Sequence, residues 1–215
     1  MKPIAIALFI CVISIPLWAQ KNVMMVTYGP QAPISEGDDD YKQIIFFQIP
    51  ESVTDSLYLR VFDIDCGGDR DLKFTDWDSE TKFSLYGGAG AYSAATLKSA
   101  VPSEADLSAG VLIKSAAFGQ NPLLNNEWHT LARFSAQDGE RLGGYAYFKL
   151  VVQGATGNDA NVFDIRLSSN ETRNVMPPGA AIFTYAPTIQ LTKEEPFANV
   201  RFFVPEGVED ITVHN

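Results

Sequence analysis

Residues 43–71 constrain the fold more than any other stretch of the chain. They hold two strongly β-forming runs, 43–49 and 56–64, on either side of a turn led by Pro50. The second run empties into an acidic loop broken by Gly67 and Gly68. Run 43–49 is almost wholly apolar. It is too short for a helix and long enough for a buried strand, and Pro50 stops it. Run 56–64 alternates, with Leu57, Leu59 and Val61 on one face and Tyr58, Arg60 and Phe62 on the other. Such a period of two predicts a strand with one face in the core. Arg60 among aromatic residues predicts a half-exposed opposite face.

The same signals recur along the chain. A first strand is expected within 21–28, and others at 82–86, 128–136, 145–153 and 161–168, with Trp128 placed in the core. Segment 111–118 reads as either strand or helix, and 137–144 reads as a turn. The Ala-rich segment 93–100 and segment 102–110, with Ser103 as a possible N-cap, supply one or two short helices. Short strands separated by Gly, Asp and Asn turns predict an all-β antiparallel sandwich or jelly roll over residues 20–170.

The flanks read differently. Residues 1–19 form a signal-peptide pattern: Lys2 precedes an apolar run from Ile4 to Leu17, with a cut expected after Ala19. Residues 171–187, centred on Pro177-Pro178-Gly179, read as a linker or edge segment. In 188–215 the run 202–210 matches 47–55 at five of nine positions. That partial repeat predicts the start of a second, truncated β-module.

The net charge is −10. Such acidity repels nucleic-acid phosphates and anionic lipid, so neither is an expected partner. Behind the leader Cys66 stands alone, which leaves no internal disulfide. Its acidic neighbours would raise its pKa and make it an inert thiol. With the leader removed, no transmembrane segment is expected.

Candidate chemistry concentrates in one loop. Residues 63–78 carry six aspartates: Asp63, Asp65, Asp69, Asp71, Asp76 and Asp78. Hard cations want several oxygen ligands together, and Gly67-Gly68 lets the backbone wrap. Asp63, Asp65, Asp69 and Asp71 are therefore the expected ligands of a Ca²⁺ ion. An EF-hand is excluded, because Phe74 stands where its twelfth-position Glu belongs. Residues 36–40 and 157–161 are further oxygen-rich loops that could pool ligands if they met. Trp77, framed by Asp76 and Asp78, reads either as a sugar-stacking face with hydroxyl-binding acids or as a loop anchor. The two histidines, His129 and His214, are too few for a multi-histidine Zn site. No Gly-x-Ser-x-Gly elbow is present. No catalytic set emerges.

Three segments carry a resemblance: the Phe46-Phe47-Gln48-Ile49-Pro50 strand, the Leu57-to-Asp69 run through Cys66-Gly67-Gly68, and Tyr147 to Gly154 followed by Gly157 to Ile165. Over residues 20–215 the chain resembles the N-terminal β-region of large exported envelope proteins of Gram-negative bacteria. Some of these are labelled OmpA-family for a C-terminal peptidoglycan-binding domain. It also resembles the small β-sandwiches attached to secreted peptidases. The resemblance implies an exported location in the periplasm, at the outer membrane or cell surface, or outside the cell. The expected function is a non-catalytic binding or spacer module of a cell-envelope or surface protein, stabilised by Ca²⁺, with a protein or glycan partner at the cell surface. The alternatives are a carbohydrate-binding module and a secreted glycoside hydrolase.

Overall fold

A computed structural model describes residues 24–28, 41–99 and 101–191. The leader, the 36–40 loop, His214 and the 202–210 repeat lie outside the described residues. Among the described residues ten strands fall in the order β1 (Met25–Val26), β2 (Lys42–Pro50), β3 (Leu57–Phe62), β4 (Glu80–Gly87), β5 (Val111–Phe118), β6 (Trp128–Phe134), β7 (Glu140–Leu142), β8 (Tyr145–Thr156), β9 (Val162–Ser168) and β10 (Ala181–Phe183). One helical turn, α1 (Glu104–Leu107), precedes β5. The strands form two antiparallel sheets, ordered β1-β9-β3-β6 and β10-β2-β8-β4-β5, with β7 also on β8. The all-β, two-sheet sandwich expected from the strand pattern is what folds.

Alternation builds the core between the sheets. Ile45, Phe47 and Ile49 of β2, Leu57, Leu59 and Val61 of β3, Phe148, Leu150 and Val152 of β8, and Phe163, Ile165 and Leu167 of β9 converge there. Two phenylalanine pairs join the layers. Phe83 meets Phe163 edge-on at 5.4 Å, and Phe134 meets Phe148 at 4.8 Å. Such pairs add about 0.5–1.5 kcal/mol beyond the area they bury.

The apolar run of β2 has a second cause. Its other face, Ile44 and Phe46, packs with Val151, Leu97 and Leu107 in a smaller cluster. A strap from Gly88 to Gly110 crosses the outside of the six-stranded sheet and supplies those last two residues. The strap is turns rather than the helix expected at 93–100, and only Glu104–Leu107 is helical. Ser103 caps that turn by accepting from the Asp106 N–H at 3.2 Å. Glu140 pins the strap, accepting from the backbone N–H of Tyr92 at 2.6 Å and of Ser93 at 2.9 Å.

Several local expectations change. The 137–144 connection contains β7 and carries the chain from the four-stranded to the six-stranded sheet. It closes on Gly143 and Gly144, with φ of 59° and 83°, as a two-residue hairpin demands. Arg60 is buried, not half-exposed. Its guanidinium lies 5.3 Å from the Trp128 ring centre and donates to Asn174 of the overlying 169–176 loop. Trp128 is on that same outer face beside Phe62, not in the central core. The 171–187 segment contributes β10, which pairs with β2. Residues 188–190 run along β1, with Gln190 N–H donating to Met24 C=O at 3.0 Å.

Candidate functional site

The acidic loop begins where β3 leaves the sheet. Asp63 adopts a left-handed backbone (φ 55°), a conformation Asp tolerates better than most residues. Residues 63–78 then fold over one end of the sandwich and meet the 157–161 loop. Leu72 and Ala160 exchange backbone hydrogen bonds at 3.0 and 2.9 Å. Asp159 accepts from the N–H of Phe74 at 2.7 Å and of Asp78 at 3.3 Å, while its own N–H donates to Ser79 Oγ. Asn161 donates to the Ile64 carbonyl and to Thr81 Oγ1. Two of the three oxygen-rich loops therefore share one end of the molecule.

The four aspartates expected around a Ca²⁺ ion have separate roles. Asp69 is exposed. Asp71 directs Oδ1 to the Val162 N–H at 2.6 Å and Oδ2 to the Gly67 N–H at 2.5 Å, stitching the acidic loop to β9. Asp65 accepts from the Asn121 N–H at 2.9 Å, and Asp63 from the Asn126 N–H at 2.7 Å. Among the described residues no group of three or more His, Cys, Asp or Glu side chains is placed to hold a metal ion. Burial raises the pKa of Asp63 to about 6 and of Asp71 to about 8, against the hydrogen bonds that lower them. Burial raises that of Asp65 as well. The Cys66 thiol is buried and free. Burial and the carboxylates around it push its pKa far up.

Trp77 is half-buried on the same loop, with Lys73 Nζ 5.7 Å from its ring centre. Asp76 is exposed and pairs at 3.8 Å with that same Lys73. Asp78 is exposed, and its carbonyl accepts from Thr156 Oγ1. Trp77, Asp78 and Glu80 line an open cleft of about 550 Å³, closed on its other side by Phe118, Gln120 and Asn121. An aromatic ring beside convergent polar groups is the ordinary composition of a ligand cleft. His129 packs edge-on against Phe118 at 5.5 Å, and burial lowers its pKa.

Sequence reasoning missed the partners that the 119–127 loop brings. Asn121, Asn125 and Asn126 read only as loop, yet all three touch the acidic loop. The local signal was the Asn125-Asn126 pair: Asn126 adopts φ 59°, which Asn accommodates readily.

No protein-family model, no curated protein and no solved structure matches this chain. No helix among the described residues is long and apolar enough to cross a membrane. The architecture and the loop end define the class: an all-β sandwich with an acidic, tightly hydrogen-bonded loop cluster and an aromatic-edged cleft at one end.

Proposed function

We propose that this chain is an exported, non-catalytic β-sandwich module of a cell-envelope or surface protein that serves as a binding or spacer domain. The observation that carries the reading is the way the loop end uses its acids. Asp65, Asp71 and Asp159 accept from backbone N–H groups and hold three loops on the sandwich. Their oxygens are spent on tying loops to the sandwich, and a loop end held in place in this way is what a binding module presents. The apolar leader run and the acidic balance support export. The test has two arms. Residues 1–24 fused to alkaline phosphatase should give enzyme activity only outside the cytoplasm. The purified chain should release no reducing ends from a polysaccharide panel. Turnover abolished by a single Asp→Asn change would replace the reading with a glycosidase.

The Trp77 cleft favours a second reading, in which the partner is a glycan. A sugar ring would stack on Trp77 while Asp78, Glu80, Gln120 and Asn121 take its hydroxyls. On a glycan array, Trp77→Ala should weaken binding at least about tenfold, the equivalent of 1.4 kcal/mol. Binding unaltered by that change would remove the cleft from consideration and leave a protein partner.

A further inference from the structure

Arginine is unevenly spread over this acidic molecule. Five of the six described arginines stand on or beside the outer face of the four-stranded sheet. Because Leu57, Leu59 and Val61 enter the core, Tyr58, Arg60 and Phe62 point outward. Register sets Arg133 of β6 beside Tyr58 and Arg166 of β9 beside Arg60. Arg173 is exposed on the overlying 169–176 loop, and Arg70 lies over Phe62, 5.3 Å from its ring centre. The guanidinium of Arg60 lies over Trp128, and that of Arg133 over Tyr58 at 6.0 Å. A guanidinium laid on a ring keeps its edge of N–H donors available to a carboxylate. Asp164 partners Arg166 at 2.8 Å and Asp63 partners Arg70 at 4.0 Å, and arginine remains in excess. No lysine occurs on these strands or on the 169–176 loop. Arginine with Trp, Tyr and Phe, and without lysine, is the composition of a protein-binding surface. A face built for a polyanion uses lysine as freely as arginine.

The loop end carries the opposite sign. Asp69, Asp76 and Glu127 are exposed there. Phe74 and Leu123 project from the same end, 50% and 84% exposed. The arginine face has exposed apolar residues of its own, Val175 and Met176 of the 169–176 loop. Each patch thus sets apolar side chains within a charged margin, the ordinary anatomy of a protein interface. The two patches are neighbours, because β3 runs from the arginine face into the acidic loop at Asp63. Neighbouring patches of opposite sign are complementary to themselves after a half-turn. A second copy related by a two-fold axis sets each acidic end on the other's arginines.

From this charge pattern we infer that the outer face of the four-stranded sheet is the docking surface for a second copy of this chain. The acidic loop end of each copy seats on the arginine face of the other in a closed two-fold dimer. The net charge of −10 on each copy opposes approach. At physiological salt that repulsion is screened beyond about 8 Å, while pairs in contact are screened much less. The inference goes beyond the binding-module reading and does not depend on it.

The test is analytical ultracentrifugation of the purified chain and of two doubly charge-reversed variants. Arg133→Glu with Arg173→Glu alters the face, and Asp69→Lys with Asp76→Lys alters the loop end. All four side chains are exposed, and thermal melts check that each variant folds. Arg173→Glu alone and Asp69→Lys alone take their place if a double variant does not. Wild type should form a dimer that weakens as salt rises from about 0.1 M to about 1 M. Each variant alone should dimerise at least about tenfold more weakly. An equal mixture of the two should recover a heterodimer, because reversed charges meet at one junction and native charges at the other. A wild-type chain still monomeric at about 1 mM overturns the dimer. So does a dimer indifferent to both sets of reversals, which would use another surface. Variants that are weak alone and not recovered on mixing show that the two patches do not meet, and overturn it as well. A monomer that binds polygalacturonate through Arg133 and Arg173 replaces the second copy with an acidic glycan.

Discussion

Lys149 is an uncommon residue to find in the middle of a sheet. It is fully buried on the outer face of β8, beneath the strap, where Nζ donates to the Asp106 carbonyl at 2.6 Å and lies 5.0 Å from the Tyr86 ring centre. Burial lowers its pKa to about 8, with Asp106 and Glu140 pulling the other way. The folded value is therefore below that of the unfolded chain, about 10.4. Between the two, the unfolded chain binds more protons, so stability rises with pH across this window. Below about pH 8 both states are protonated, and the folded chain bears the full desolvation cost, on the order of 3 kcal/mol. Urea midpoints from about pH 7.5 to 10.5 for wild type and Lys149→Met isolate this group, because every other titration is common to both. Wild type should gain on the variant as pH rises; parallel curves would mean that Lys149 is charged in the fold throughout. A second residue acts between loops. Asp71→Ala leaves the buried N–H groups of Gly67 and Val162 without acceptors, at about 1–3 kcal/mol each. Its denaturant midpoint should fall accordingly, while a change below about 1 kcal/mol would mean that water replaces the carboxylate. Neither role was legible beforehand. Lys149 breaks the alternation of β8 without showing what covers it, and the Asp71 partners lie 4 and 91 residues away in the chain.

At the scale of elements, β2 and β3 declared themselves through local physics. One has an unbroken apolar run, the other a clean period of two, and each signal sits within a single strand. The strap did not, because its turns are held by side-chain bonds that no local period announces, one set from β7 and one within the strap. Glu140 holds Tyr92 and Ser93, while Asp106 accepts from Thr96 through both its N–H and its hydroxyl. An Ala-rich stretch has good helix propensity, yet tertiary hydrogen bonds to Glu140 and packing on Phe46 and Tyr147 outweigh it. Tyr92 stacks on Tyr147 at 4.2 Å and meets Phe46 edge-on at 5.4 Å. The strap is held to the sheet by the Glu140 carboxylate, by Lys149 on the Asp106 carbonyl, by the Lys42–Glu104 pair and by apolar contacts, while the sandwich beneath has its own core. Glu140→Ala should release it selectively. Amide exchange across 88–110 should accelerate far more than in β3 or β9, and a hydrophobic dye should bind the bared Ile44, Phe46 and Val151 face. Equal acceleration everywhere would make the strap an integral part of the sandwich. Part of the loop end was equally hidden: the aspartates were plain in the sequence, but the N–H groups of Asn121 and Asn126 that Asp65 and Asp63 accept from lay 56 and 63 residues further on.

On the scale of the whole molecule, both sheets mix early and late strands. β1 pairs with β9, β2 with β8, and β3 with both β6 and β9. No sheet can be completed by a contiguous half of the chain, and phenylalanines from each layer meet in the middle. Such a topology favours all-or-none unfolding of one core and slow, non-local folding. Cys66 reports on whether the loop end shares that cooperativity. It is buried within the acidic loop, and its raised pKa leaves little thiolate to react. In a Cys11→Ser background, the thiol can be modified only when the loop end opens. If Asp71 and Asp159 bind the loops to the strands as firmly as the distances indicate, Cys66 labelling in urea should follow the loss of β-sheet circular dichroism, with one midpoint and one slope. Labelling at distinctly lower urea would instead make the loop end a separate opening unit above an intact sandwich. Repeating the labelling with Asp71→Ala gives the sign of the coupling. The variant should move the labelling curve to lower urea by more than it moves the sheet signal, because it cuts the stitch from Gly67 to β9 and leaves the aromatic core untouched.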